Sequence, residues 1–289
     1  MKPQYAVIDI GSNSVRLMLG AEENGRTVSL QKTRCTTRLA MGLNETHRLR
    51  ADRMAESVQA IEAFKRTADR LQVPVIAYAT SAVRDAENRD EFLAEVLDKT
   101  GLSVLVLSGE EEGRYAYLAA TGGTGTVFDI GGGSFQAVSS DFALSFPCGC
   151  VRAKEQCDAS DPKELERVLF AWLDEQTNLP EHVPAPVYGV GGTISTIGAL
   201  LAGLTEYDVH RLADITPHKL DGLIQLLAAI PEPKRMQMPL LKKRGDVILQ
   251  GATILRYQMV RTHTDVVHPS DRDGSEGIAD AVFLKQERL

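Results

Sequence analysis

No stretch of this chain is long and apolar enough to span a bilayer, and its first residues enter a strand-like run without the apolar core of a secretory leader. The cytoplasm is the expected location, and a membrane is not an expected partner. Positive charge is in deficit: 32 Lys and Arg against 39 Asp and Glu leave a net charge of −7. That balance argues against a nucleic-acid surface held by bulk positive charge, and leaves a polyanion open only if a local basic lining meets it. Cysteine is scarce. Of the four, Cys148, Cys150 and Cys157 lie close together, yet they form no paired Cys-x-x-Cys, and no histidine lies between Pro147 and Glu181. Reduced structural thiols are the reading, not a zinc site. The six histidines form no ligand pair and no Ser/His/Asp arrangement, and His268 reads as a structural or cleft-edge residue.

What is present is a short unit that occurs twice. Gln4 to Val7 begin an apolar strand that ends at Asp9 and Ile10, Gly11 to Ser14 form a tight polar turn, and Val15 to Leu19 return as a second strand. A tip of glycine and serine leaves backbone N–H groups uncovered for phosphate, and a carboxylate at the end of the preceding strand can hold a metal ion. Val127 to Gln136 repeats the pattern 120 residues later, with Asp129 on Asp9, Gly131 on Gly11 and Ser134 on Ser14. A matched pair in two halves of a 289-residue chain implies a duplicated domain with a cleft between the copies.

Between the copies, apolar residues from Met54 to Leu71 recur at helical spacing, and Val75–Ala79 reads as a strand covered on both faces. Thr80–Ala86 follows at its carboxyl end, where open α/β sheets place ligand groups. A helix over about Arg89–Lys99 leads to Ser103–Leu107, read as another buried strand. Glu110, Glu111 and Glu112 then open a helix. Capping explains part of this cluster, and a general base for attack on phosphorus is the sharper reading. Thr121–Gly125 is the expected linker, giving domains of 1–122 and 123–289, with a final helix over about 275–289 that can pack back on the first domain. In the second half, Asp161-Pro162 and Thr216-Pro217 start helices. Val187–Val190 runs as a strand into Gly191, Gly192 and Thr193, a turn equally suited to close packing and to ligand contact. Asp246–Arg261 reads as a helix and Asp265–His268 as a strand.

Together these stretches, with Arg38–Leu43 and Arg244–Leu255, resemble the exopolyphosphatase/guanosine pentaphosphatase (Ppx/GppA) family of the actin–hexokinase–Hsp70 (ASKHA) superfamily, in family order across nearly the whole chain. The resemblance implies an α/β fold of two ribonuclease-H-like (actin-like ATPase) domains around a central cleft. It also implies Mg²⁺-dependent hydrolysis of a terminal phosphoanhydride bond, with inorganic polyphosphate or guanosine pentaphosphate as the substrate. On this basis Asp9 and Asp129 would position Mg²⁺. Gly11, Ser12, Asn13, Ser14, Gly131, Gly132, Gly133 and Ser134 would cradle phosphate, with Gln136, Gly191, Gly192 and Thr193 at the same site. Arg16, Arg38 and Arg84 sit at family arginine positions. Glu112 is expected to activate water, with Glu111 second because sequence does not settle the register of the triple glutamate.

Three departures from the family accompany the match. Gln136 stands where the second hairpin usually has glutamate, and glutamine can orient water but not take its proton at neutral pH. Ser275-Glu276-Gly277 replaces Arg-Glu-Gly, and the additional helical domain of long members does not follow, so short polyphosphate is the expected chain length. A non-catalytic sensor of polyphosphate or guanosine alarmones is the alternative that Gln136 favours. A sugar or acetate kinase of the same superfamily lacks an evident sugar-binding insert. A homodimer is the assembly to test for.

Overall fold

The computed structural model describes residues 1–284. Two five-stranded sheets organise them. The first is built from β1 (Tyr5–Ile10), β2 (Ser14–Glu23), β3 (Arg26–Thr36), β4 (Val75–Ala79) and β5 (Val104–Val106), in the order β3-β2-β1-β4-β5. The second is built from β6 (Thr126–Ile130), β7 (Phe135–Ser139), β8 (Ala143–Phe146), β9 (Val187–Val190) and β10 (Val267–Pro269), in the order β10-β9-β6-β7-β8. These are one topology read from opposite edges. In each sheet three strands meander antiparallel, and two more add in parallel beside the first.

The chain divides into two compact units: Met1–Ala119 joined by the segment from Gly274, and Ala120–Asp273. The break thus falls a few residues before the glycine-rich stretch, because the helix Gly109–Thr121 continues up to it. The final helix, Gly274–Phe283, belongs with the first unit, and the last five residues of the 275–289 reading lie outside the described residues. Its attachment is specific. Phe283 stacks on Tyr5 at 4.6 Å, Asp280 Oδ1 accepts from the Thr27 amide at 2.7 Å, and Glu276, 2% exposed at its side chain, pairs with Lys32 at 2.7 Å. Gly277 is required there, since a Cβ would run into the Tyr115 backbone.

In the first unit the helix Ala51–Leu71 packs on β1 and β2 and ends where Gln72 turns left-handed (φ 56). The expected buried strand over 103–107 is instead the short edge strand β5. Leu105 is 42% exposed, because an edge strand lacks a neighbour on one side and its faces are incompletely covered. In the second unit the helix Ile248–Arg261 is the hub, packed against the helices Cys150–Gln156, Pro162–Gln176, Gly191–Leu201 and Pro217–Ala228. Both cap–proline starts form: Asp161 Oδ1 accepts from the Glu164 amide at 2.9 Å and Thr216 Oγ1 from the Lys219 amide at 3.4 Å.

Candidate active site: two hairpin tips and a capped glutamate

In the first hairpin Asp9 lies opposite Arg16 on β2 and beside Tyr78 on β4. Arg16 Nε donates to Asp9 Oδ2 at 2.6 Å and Nη2 reaches the same oxygen, so the aspartate, 2% exposed, is held by the arginine expected to meet phosphate. The turn closes through the Gly11 amide to Ser14 O at 3.1 Å. The carbonyls of the tip are engaged from behind: Asn13 O accepts from the Thr37 and Arg38 amides, and Ser12 O from Ala40 at 2.9 Å. With its carbonyls so bound, the tip presents amides and hydroxyls to an anion. Ser14 Oγ is buried with no hydrogen-bond partner among the described residues, and Ser12 Oγ meets Ser81 Oγ at 2.8 Å. Arg38 sits beside the tip in a left-handed conformation (φ 53), a strained choice for an arginine of about 1 kcal/mol or more.

Arg84 closes the one-turn helix Ser81–Arg84 after β4. It donates to Leu107 O at 3.0 Å and to Asp85 Oδ1 at 3.2 Å, and its Nη1 stands 3.6 Å from Glu112 Oε2. The triple glutamate now separates by role. Glu111 Oε2 accepts from the Ser108 amide at 2.9 Å, while Ser108 Oγ accepts from the Glu111 amide at 3.1 Å. This reciprocal capping box engages Glu111, exposed at the surface, in starting the helix. Glu112, its side chain 15% exposed beside Arg84, is the carboxylate with a semi-enclosed setting.

The second hairpin has the same backbone with different side chains. Asp129 lies opposite Gln136 on β7 and beside Val190 on β9, so Gln136 occupies the position that Arg16 has in the first copy. Gln136 is 0% exposed, and its Nε2 donates to Ser134 Oγ at 2.8 Å. The tip closes through the Gly131 amide to Ser134 O at 3.0 Å, and the Cys150 and Val151 amides take the carbonyls of Gly131 and Gly132. Gly149 makes that approach feasible, because a Cβ there would lie 2.5 Å from Gly132 and from the Ser134 nitrogen.

The turn after β9 has a stricter requirement. Gly191 has φ +79, and a Cβ on it would stand 2.5 Å from Asp129 Oδ1; one on Gly192 would overlap the Arg244 guanidinium. Gly191 therefore leaves the space that the Asp129 carboxylate occupies, a glycine cradle on that side. Thr193, which follows this turn, is 2% exposed, with its hydroxyl 3.9 Å from Cys150 Sγ. Burial pushes the Cys150 thiol up in pKa and raises that of Cys148 to about 12, so both stay protonated. Arg244, buried against Gly192, is the residue that reading the sequence passed over. Its signal was the run Lys242-Lys243-Arg244-Gly245-Asp246 ahead of the last long helix, but only the fold brings that run to the glycine turn.

Among the described residues no group of three or more His, Cys, Asp or Glu side chains gathers to hold a metal. Each tip instead offers a carboxylate and a hydroxyl, oxygen ligands of the kind Mg²⁺ takes, beside amides suited to phosphate oxygens.

Two sheets of this shared topology define a protein of actin-like, ASKHA fold, and an exopolyphosphatase from Cytophaga hutchinsonii, 20% identical, has the same fold with a TM-score of 0.85 over 97% of each chain. More specifically, the chain belongs to the Ppx/GppA phosphatase family, whose model matches residues 20–286. The crystal structure of the Aquifex aeolicus family member is similar at 31% identity and a TM-score of 0.80, covering 99% of both chains. Exopolyphosphatase 2 of Mycobacterium tuberculosis is 29% identical over 96% of this chain and 97% of its own length. Exopolyphosphatase 1 of Mycobacterium bovis is 33% identical over 61% of this chain and 56% of its own.

Proposed function

We propose that this chain is an exopolyphosphatase that hydrolyses the terminal phosphoanhydride bond of inorganic polyphosphate with Mg²⁺. The observation that carries the reading is the division of labour in the triple glutamate: the capping box engages Glu111 and leaves Glu112, partly enclosed and steadied by Arg84, to take the proton of the attacking water. The exopolyphosphatase names of the mycobacterial relatives support it. In this reading the amides of the first tip and the Ser14 hydroxyl bind phosphate oxygens, with Arg84 offsetting their charge; the second tip offers phosphate the same amides, with Arg244 beside its glycine turn.

Asp9 and Asp129 are the carboxylates that would hold Mg²⁺. Asp9 Oδ2 accepts from Arg16 Nε, and Asp129 Oδ1 lies in the space that Gly191 leaves beside it. When bound, the metal supplies charge neutralisation on the phosphates. In this assignment Asp9 and Asp129 are the protein ligands, with Arg16 holding Asp9 in position. Short chains, activity on guanosine pentaphosphate, a homodimer and a cytoplasmic location belong to the same proposal.

The test is phosphate release from polyphosphate with and without Mg²⁺. Glu112→Gln is expected to lower turnover roughly 10³-fold, within the range for a general base. Glu111→Gln, which keeps an oxygen to accept the Ser108 amide, is expected to change turnover less than about threefold and stability by less than about 0.5 kcal/mol. Wild-type binding of polyphosphate with no phosphate release would replace the hydrolase by a sensor, and equal effects of the two substitutions would remove Glu112 as base.

A further inference from the structure

The second unit contains a fully enclosed cation that the proposed reaction does not use. Arg235, 2% exposed, ends the one-turn helix Glu232–Arg235. Its guanidinium donates to three backbone carbonyls: Leu227 O at 3.0 Å and Ile230 O at 2.9 Å through Nη1, and Gly245 O at 3.0 Å through Nε. Among the described residues no carboxylate forms an ion pair with it; Glu232, Asp158 and Asp246 act on its charge only from a distance. A buried guanidinium is costly unless its N–H groups are bonded, and here backbone carbonyls take three of the five.

The three acceptors lie on different pieces of chain. Leu227 O is in the last turn of the helix Pro217–Ala228, where carbonyls lack helical partners and a cation is favourable. Ile230 O is in the turn that follows. Gly245 O is distant in sequence and lies between Arg244, whose guanidinium covers Gly192, and Asp246. The packing behind Gly245 is equally tight: a Cβ would come within 2.9 Å of the Arg235 carbonyl carbon and the Met236 nitrogen, and 3.0 Å of Leu241 O. The Arg244 and Gly245 amides also both donate to Leu241 O. The segment from Met236 to Val247 is thus folded on itself and fastened at Gly245 by one side chain.

We propose that Arg235 is a positioning residue for substrate binding: by fastening Gly245 it holds the Arg244 guanidinium over the Gly191-Gly192 turn, where Arg244 contacts a phosphate of the substrate. This rests on the reading of that turn as part of the polyphosphate site. Arg235 itself touches no substrate. Its side chain acts on the conformation of the next arginine along the chain, so its loss is felt in substrate affinity more than in the chemical step.

The experiment compares KM and kcat for phosphate release from short polyphosphate in wild type, Arg244→Ala, Arg235→Met, Arg235→Lys and the Arg244→Ala/Arg235→Met double variant, each confirmed as folded by circular dichroism at the assay temperature. Arg244→Ala is expected to raise KM about tenfold or more while kcat stays within about threefold, the signature of lost uniform binding to a charged group. Arg235→Met should raise KM to a similar extent. The double variant should be within about twofold of Arg244→Ala, because both changes remove one interaction. Arg235→Lys, which keeps the charge and part of the bonding, should recover part of the affinity.

An unchanged KM in folded Arg235→Met, or effects that multiply in the double variant, would show a merely structural arginine and overturn the inference. If Arg235→Met does not fold, Gly245→Ala displaces the same segment from its other side, and an unchanged KM there has the same force. An unchanged KM in Arg244→Ala also overturns it, by removing the contact to be positioned, while leaving the hydrolase reading intact. If wild type releases no phosphate, the hydrolase reading fails, and the same variants are compared by calorimetric Kd for polyphosphate, with the same criteria.

Discussion

The two hairpins share a backbone and a strand order but differ at the position facing the aspartate. In the first, Arg16 makes a charged contact with Asp9; in the second, the equivalent Gln136 bonds Ser134 of its own tip. The turns at the ends of the parallel strands differ as well. Asp9 neighbours Tyr78 in the ladder, and the next residue is Ala79; Asp129 neighbours Val190, and the next is Gly191. One copy thus sets an arginine against its carboxylate, while the other sets a glycine, Gly191, against its own. The two copies keep the closed shape of the tips and differ in what faces their carboxylates.

Substitutions that make one copy resemble the other sharpen this contrast. Arg16→Gln, which places the residue of the second hairpin in the first, should be the most costly. It leaves Asp9 buried without its cation, for a loss of about 2 kcal/mol in urea unfolding, below the range for a fully buried pair because Arg16 is partly exposed. Gly191→Ala gives the second turn the side chain of the first. The left-handed φ and the collision with Asp129 predict a loss of about 1 to 2 kcal/mol and at least tenfold lower phosphate release, and wild-type turnover in this variant would refute the glycine cradle.

Gln136→Met removes a hydrogen bond between neutral groups and should cost about 1 kcal/mol, so a loss equal to that of Arg16→Gln would erase the distinction between the copies. The last effect is absent at neutral pH and confined to alkali. Burial raises the Cys148 pKa from 9.0 to about 12, so the unfolded chain loses its proton first. The stabilisation from the buried neutral thiol is therefore complete below pH 9.0 and is lost as pH rises from there toward about 12. Cys148→Ala should flatten that part of a stability-versus-pH curve, and an unchanged slope would contradict the shift.

Much of this arrangement was legible in the residues. The repeat of Asp-x-Gly-x-x-Ser at a spacing of 120 residues specified two copies of one hairpin, and helical spacing and cap–proline pairs located most helices. The strands β3 and β8 were not identified. β3 reads Arg26-Thr27-Val28-Ser29-Leu30-Gln31-Lys32, with little apolar alternation to mark it, and it is recruited by pairing with β2. Strand β5 was located but its burial misjudged, because apolar residues report a tendency to be covered and not whether a neighbour is available to cover them.

At the site, the separation of the sequence and the tertiary structure follows the range of the interactions. Local chemistry is enough to mark a tight turn: glycine and serine expose amides whatever surrounds them, so both hairpin tips and their aspartates were identifiable from ten residues each. The capping box is local too, but three adjacent glutamates allow several registers, and the helix start chose one by bonding Glu111 to Ser108. Which charge meets which carboxylate depended on β-ladder register and on contacts between distant segments. Arg16 falls opposite Asp9, Arg244 reaches Gly192, and Arg235 fastens Gly245 only after the sheets and helices have packed. A sequence specifies those partners through the whole fold, and no single stretch of it contains them.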